Sequence, residues 1–269
     1  LSRQELPVGI GEGRIARYAF GRDYHNVLGR RLRKLDRFLR ERGHRVRHSV
    51  DSVPVFERAW AVRAGLGSHV FLSTLVTSAW LPADEPMREG CGRCTACLDA
   101  CPTAAFVGPR ELDARLCISN LTIEREDNAA PPLRKQVGDW LFGCDACQDV
   151  CPYNRTSPPP MDAAFEPHPR LREVDLPAIL RMEEEAFLAW SEGSPMRRSG
   201  LAKLARNAAV VLGNTGSRTH LPVLQETSLS HASDVVREAA RWALEEIEAR
   251  EALGADSARE APQSGSDSD

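Results

Sequence analysis

Seven of the eight cysteines fall into two runs, and the eighth lies between them. The first run is Cys91-x2-Cys94-x2-Cys97-x3-Cys101-Pro102, the second is Cys144-x2-Cys147-x3-Cys151-Pro152, and Cys117 stands apart. Thiolates spaced C-x2-C-x2-C-x3-C-P hold a [4Fe–4S] cluster, and where two clusters are bound the fourth cysteine ligates the other one. The second run is one ligand short, and Cys117 is the cysteine left to supply it. The crossing rule then groups Cys91, Cys94, Cys97 and Cys151 for one cluster, and Cys101, Cys117, Cys144 and Cys147 for the other. A structural zinc site uses paired C-x2-C knuckles and needs no third cysteine three residues on. Disulfides need an oxidising compartment, for which the sequence carries no signal. Two clusters in one ferredoxin-like module predict one-electron transfer.

The segments that must position these thiols divide by composition. Residues 25–42 read as an amphipathic helix, with Val27, Leu28, Leu32, Leu35, Phe38 and Leu39 three and four apart and Gly43 ending it. Arg45–Asp51 reads as a strand, Val55–Ala64 as a second helix, and His69–Ser78 as another strand. Pro82, Pro86 and Gly90 mark a boundary before the cysteines, and Ser157–Pro160 marks one after them. Beyond it the pattern is helical. Ser194 and Pro195 are placed as N-cap and first residue of a helix that Gly213-Asn214 closes, followed by helices near Leu221–Leu229 and Asp234–Ala249. Paired helices with small residues suggest HEAT-like repeats. Ser257–Asp269 has no periodicity and reads as a disordered tail.

The 269 residues are 42% hydrophobic and 27% charged, with a net charge of −3, so a general nucleic-acid-binding coat is excluded while a local basic face is not. No apolar run reaches the roughly 18–20 residues that span a bilayer. No basic and apolar leader opens the chain, which predicts a cytoplasmic location.

A bare ferredoxin is much shorter than this chain, and the flanking motifs carry a resemblance. The stretches GRIARYAFGRDYH (13–25), VDSVPVFERAWAVRAGLG (50–67), DARLCISNLTIE (113–124), GCDACQDVCPYN (143–154) and GSPMRRSGLAKLARNAAVVLGN (193–214) together resemble the epoxyqueuosine reductases. That resemblance implies a cobalamin-dependent oxidoreductase that reduces the epoxide of epoxyqueuosine at the tRNA wobble position, the last step of queuosine biosynthesis. It also implies a multidomain α+β fold. An α/β cobalamin- and substrate-binding domain related to reductive dehalogenases would occupy residues 1–86, a two-[4Fe–4S] ferredoxin-like domain 87–160, a HEAT-like tRNA-binding domain 161–254, and a disordered tail 255–269. Two further readings compete with it. One is a cobalamin-dependent dehalogenase-like enzyme, and the other is a ferredoxin-type electron carrier with a helical interaction domain.

The resemblance places a proton-donor aspartate at Asp51, whereas the residues alone also allow Asp51 or Ser52 as a helix N-cap before Pro54. It places Ser119, Cys144, Asp145 and Asp51 beside a base-off cobalamin. His25 reads as a residue lining the active site or starting a helix, since Asp23-Tyr24-His25-Asn26-Val27-Leu28-Gly29 is one residue longer than a cobalt-ligating D-x-H-x-x-G. Arg197, Arg198, Lys203 and Arg206 are candidates for tRNA phosphates, with the Arg-rich stretch 30–47 as a second candidate surface. The partners expected are an epoxyqueuosine-bearing tRNA and a low-potential electron donor, with the protein acting as a monomer and no membrane involved. Relative to the family, the chain starts inside the N-terminal region, and a W-x-G-K-type segment expected between Gly67 and Ser68 is missing.

Overall fold

A computed structural model describes residues 12–50, 67–85, 92–109, 111–155, 162–171 and 174–259. The chain enters through a short strand β1 (Arg14–Ile15) and a 3-10 turn over Arg17–Ala19. Helix α1 (Tyr24–Arg40) follows, started by the Asp23 side chain, which accepts the backbone N–H of His25 at 2.9 Å. Gly43, at φ +83, turns the chain where a side chain would be strained. Strand β2 (Val46–Val50) then pairs antiparallel with β3 (Ser73–Thr77), Val46 opposite Thr77 and Val50 opposite Ser73. The strand expected over His69–Ser78 is therefore shorter, because residues 69–72 leave the ladder to line a cleft. Val27, Leu32, Val46 and Val50 pack this unit, but Leu35 and Phe38 of the expected apolar face stand about half exposed (53% and 49%). The helix expected at Val55–Ala64 lies outside the described residues.

The cysteine-bearing segment contains α2 (Ala96–Asp99), the paired strands β4 (Phe106–Gly108) and β5 (Glu111–Leu112), and α3 (Ile118–Ile123). After these come α4 (Pro131–Val137), strand β6 (Trp140–Phe142) and α5 (Ala146–Asp149). β6 pairs in parallel with β1, so the first residues of the chain are sewn to the cluster-bearing segment.

The remainder is helical: α6 (Leu176–Leu180), α7 (Glu184–Trp190), α8 (Leu201–Thr215), α9 (Leu221–Ser230) and α10 (Asp234–Arg259). Ser194 is a cap, as expected, but of a 3-10 turn over Pro195–Arg198; α8 itself starts after Gly200, at φ +79. Nor does Gly213 end α8. It sits inside the helix where a Cβ would lie 2.7 Å from the Trp242 ring and 3.0 Å from Ala243 Cα, so its function is close packing against α10. Helix α10 reaches Arg259, past the point where the sequence suggested a disordered tail. Its residues Val236, Ala240, Ala243 and Ile247 are fully buried, and Leu244, which shares their spacing, is partly buried.

One apolar core runs from Ile15 and Phe20 through Leu121 and Leu141 to Leu204, Leu212 and Ile247. It is continuous across the boundary drawn at residue 160. Buried polar struts cross the same junction: Asn207 Nδ2 donates to the carbonyls of Thr122 (2.7 Å) and Leu141 (3.0 Å), and Asn214 Nδ2 to those of Arg134 and Gly138. Such satisfied amides fix register as well as adding stability. Among the described residues no helix is long and apolar enough to cross a membrane.

Candidate active site

The two cysteine runs fold alike. Thr95 and Asp145 precede their short helices at nearly the same backbone angles (φ −116, ψ 2 and φ −109, ψ 5), and Ala100 and Val150 end them at the same ones. This internal repeat brings α2 and α5 together and sets the thiols. Cys101, Cys117, Cys144 and Cys147 line a single cavity of about 290 Å³, whose wall is otherwise mostly apolar, with Phe106, Leu112 and Ile118, and includes Thr103, Ser119 and Gln148. The crosswise grouping put these same four thiols together. Cys91 lies outside the described residues, and Cys94, Cys97 and Cys151 do not line this cavity.

The cavity's chemistry is that of a cluster cage. Burial, with the Asp145 carboxylate and the thiols of Cys117 and Cys101 nearby, pushes the Cys144 thiol up to about 12, and Cys147 is raised further for the same reasons. Four thiolates can share an apolar cavity only around positive charge, which an iron–sulfur cluster brings. Among the described residues no three His, Cys, Asp or Glu side chains close on one point as a single metal ion would require. The backbone N–H of Ala105 already points at Cys101 Sγ (3.3 Å), the kind of donor that stabilises cluster sulfur.

A second cleft of about 440 Å³ abuts the first, and Ser119 and Gln148 line both. One wall is aromatic: Tyr24 stacks on Phe71 at 4.4 Å and 11°, with Tyr18 edge-on to Tyr24. The 68–72 stretch forms another wall. Gly67 takes φ +71, the Ser68 N–H donates to Asn154 Oδ1 at 2.7 Å, and Ser68 Oγ to Gln148 Oε1 at 3.1 Å. Ser68 is thus anchored directly onto the second cysteine run and the turn that follows it. His25, His69, Arg198 and Lys203 supply the cleft's basic groups.

The predicted residues separate in space. Ser119 and His25 line the cleft, and His25 Nδ1 lies 2.9 Å from Asp23 Oδ1. Asp145 and Cys144 do not line it. Asp145 is buried and accepts the Arg17 backbone N–H at 2.6 Å, so it holds the 3-10 turn that carries Tyr18 to the cleft wall; burial raises its carboxyl to about 6. Asp51 lies outside the described residues. Of the four basic candidates, Arg197 and Arg198 are exposed, while Lys203 is held by the carbonyls of Ile123 and Glu124 and by Glu126 at 2.7 Å. Arg206 is a correction. It is 3% exposed and donates to the carbonyls of Leu121, Arg125 and Asp127, so its guanidinium is an internal strut that no phosphate can reach.

Sequence reasoning missed Gln148 and the Tyr24–Phe71 stack. Gln148 had a readable signal, because it replaces the Leu98 of the first run with a hydrogen-bonding amide. Phe71 had none, since it lies in a stretch that reads as a strand.

The cleft suits the corrin cofactor that the sequence resemblance implies. Tyr18, Tyr24, Phe71 and Phe142 give a flat macrocycle apolar surfaces, and the buried Ser199 hydroxyl on the wall has no hydrogen-bond partner among the described residues. Ser119 and Gln148 separate the cleft from the thiol cavity by a single layer of side chains, a short path for an electron.

Comparison with known proteins agrees with this geometry. Residues 90–154 match the family model of a 4Fe-4S double cluster binding domain, and residues 3–52 match that of epoxyqueuosine reductase QueG, DUF1730. The epoxyqueuosine reductase of Pseudomonas aeruginosa is 45% identical over 249 residues, covering 86% of this chain and 68% of the relative. That of Escherichia coli is 40% identical over 258 residues, covering 89% and 68%. The crystal structure of an epoxyqueuosine reductase with a tRNA-Tyr epoxyqueuosine-modified stem loop superposes with a TM-score of 0.85 at 29% identity, covering 98% of this chain and 75% of that one. The structure of the enzyme from Streptococcus thermophilus superposes at 0.80 with 28% identity, covering 98% and 75%.

Proposed function

The chain belongs to the epoxyqueuosine reductase family, an oxidoreductase family, and from that premise we propose that it reduces the epoxide of epoxyqueuosine in tRNA to the alkene of queuosine. The observation that carries the proposal is the pair of abutting cavities: a four-thiol cage, and an aromatic, basic-rimmed cleft that shares Ser119 and Gln148 with it. A plain electron carrier would have no use for the second cavity.

The reaction consumes two electrons and two protons and releases the epoxide oxygen as water. The thiols of Cys101, Cys117, Cys144 and Cys147 would hold one of two [4Fe–4S] clusters, and such clusters would supply electrons one at a time. Cobalamin held in the cleft would supply a metal centre able to open the strained ring. This chain's residues do the rest. Tyr18, Tyr24 and Phe71 hold flat surfaces, Ser119 and Gln148 line both cleft and cage, and Arg198, paired with Asp23, fixes the rim. Asp51 is the acid that protonates the departing oxygen. It can do so at neutral pH only if cofactor and substrate bury its carboxyl and raise it above the usual ~3.9. The protein works as a cytoplasmic monomer.

The test is direct. The reconstituted protein is incubated anaerobically with epoxyqueuosine-containing tRNA, cobalamin and a strong reductant, and the nucleosides are analysed by mass. Loss of one oxygen from the modified nucleoside is expected. Iron uptake without any change in the cobalamin spectrum or the nucleoside would reject the proposal in favour of an electron carrier. Asp51→Asn should keep both cofactor spectra and abolish turnover.

A further inference from the structure

Outside the cleft, a small cavity of about 230 Å³ is lined by Arg22, Asp23, Asn26, Arg30, Arg33 and Gly193. Asn26, Arg30 and Arg33 stand four and three residues apart, so one face of α1 presents all three. Arg22 comes from the turn before the helix, and Gly193 from the loop before Ser194; the Gly193 carbonyl accepts the Asp23 N–H at 2.6 Å.

The charges there do not balance. Among the described residues Asp23 is the one carboxylate on the wall, and it is already consumed. Oδ1 meets the N–H and Nδ1 of His25, and Oδ2 accepts Nε and Nη2 of Arg198, both at 2.8 Å. Among the described residues, no carboxylate pairs with Arg22, Arg30 or Arg33. The one bond given to Arg30 uses its Nε, on the Asn26 carbonyl at 3.2 Å. Elsewhere on the same helix Arg31 and Arg40 each have an acid, Asp162 and Asp36. Three unneutralised guanidiniums around a concave site at the positive end of a 17-residue helix call for an anion.

We propose that Arg22, Arg30 and Arg33 form a subsite for a phosphodiester of the RNA substrate, set behind the cleft wall. The inference rests on the function proposed above. The cavity's size suits a phosphate group and is below the roughly 300 Å³ at which pockets begin to enclose a whole organic ligand. Its position suits a phosphate near the reacting nucleotide. Asp23 lines this cavity, and its two ligands His25 and Arg198 line the cleft, so the sites lie on either side of one carboxylate. Seating of the backbone here would hold the modified base in the cleft without reading sequence.

The experiment compares two charge-matched double variants of the reconstituted full chain, Arg30→Gln/Arg33→Gln and, at exposed arginines outside both candidate RNA surfaces, Arg14→Gln/Arg115→Gln. Binding of an epoxyqueuosine-modified tRNA stem loop is measured against salt, and reduction of the free epoxyqueuosine nucleoside, which has no phosphodiester, serves as the second readout. The first double variant should bind the stem loop about tenfold more weakly. Its slope of log K against log salt should shrink by about 0.7–0.9, the loss of one phosphate contact. It should still reduce the nucleoside at the wild-type rate, and the second double variant should change neither. Equal losses in both doubles would reveal a diffuse basic surface and overturn the subsite. So would an unchanged slope in the first, or its loss of nucleoside turnover, which would make these arginines structural. Binding of the stem loop needs no turnover, so the subsite is decided even if the wild-type protein reduces neither substrate and the proposed function falls.

Discussion

Arg198 and Asp23, 175 residues apart in the chain, form an ion pair that ties the first turn of α1 to the turn preceding α8. The carboxylate is buried and the guanidinium about half exposed, at 53%. The same carboxylate caps α1 and orients His25 toward the cleft. One side chain therefore sets the relation between the helical domain, the first helix and the candidate active site.

Asp23→Ala removes a helix cap and leaves Arg198 and His25 without their acceptor. A loss of about 2–4 kcal/mol is expected, from a cap worth about 1 and charge-assisted hydrogen bonds worth about 1.5–3. Arg198→Ala should cost less, since the carboxylate keeps its bonds to His25 and the exposed guanidinium gives up little. Denaturant unfolding of the two variants tests the order. A larger loss for Arg198→Ala would show that the arginine, and not the cap, holds the junction.

Arg206 should behave unlike its neighbours on the same helix. Its removal strands the carbonyls of Leu121, Arg125 and Asp127 inside the protein. Arg206→Leu is expected to lower stability by about 3–5 kcal/mol, and Arg206→Lys by part of that, since an ammonium cannot reach three carbonyls in the guanidinium's plane. Protein that remains folded should bind a tRNA stem loop with an unaltered salt slope. A reduced slope would return Arg206 to the RNA interface.

The contrast between Arg206 and Arg198 marks the limit of what the sequence discloses. The cysteine grouping was readable because ligand spacing is dictated by cluster geometry and repeats in the chain. Helix α1 was readable because its period and Gly43 stop are local features. Whether an arginine faces solvent or a neighbour's carbonyls is not local. Arg197, Arg198, Lys203 and Arg206 look alike in the sequence, and only the packing of α8 against α3 and its following loop separates them. Gly213-Asn214 failed for the same reason, resembling a helix stop while serving an interhelical contact. The short helices α6 and α7 carried too few turns for a period to emerge.

That contact gives a sharp prediction. A methyl group at Gly213 would meet Trp242 Cζ3 at 2.7 Å and the Ala243 backbone at 3.0 Å, so α8 and α10 must move apart. Gly213→Ala gains roughly 1 kcal/mol of helix propensity and loses about 1–3 to overpacking in a core that is fully closed here. Net destabilisation by thermal unfolding is expected. Stabilisation would mean that the ring of Trp242 gives way freely.

His231, just ahead of α10, links stability to pH. Burial, with the Arg237 guanidinium beside it, lowers its pKa from 6.5, and Nδ1 accepts the Ser233 N–H at 3.1 Å, a bond that needs the neutral ring. Between the lowered folded value and 6.5 the unfolded chain binds more protons than the native one, so stability rises with pH across that window. It falls as pH drops through 6.5 and levels off below the folded value. His231→Gln should flatten this part of the stability–pH curve relative to the wild type, and an identical curve would exclude the ring as the group responsible.

The cluster cage can be tested without resolving its atoms. Cys101 belongs to the first run in sequence but shares a cavity with Cys117, Cys144 and Cys147. Serine at any one of these four should remove about half of the iron, and the same half in each case. The double variant Cys101→Ser/Cys144→Ser should then lose no more iron than either single variant, because both remove ligands from one cage. Cys94→Ser/Cys144→Ser should lose both clusters. Anaerobic iron and sulfide analysis, with the reduced spectra of the singles, measures this directly. If Cys101→Ser/Cys144→Ser empties the protein of iron while Cys94→Ser/Cys101→Ser keeps half, the thiols are grouped run by run. The cavity shared by the four cysteines would then owe its shape to something other than a cluster.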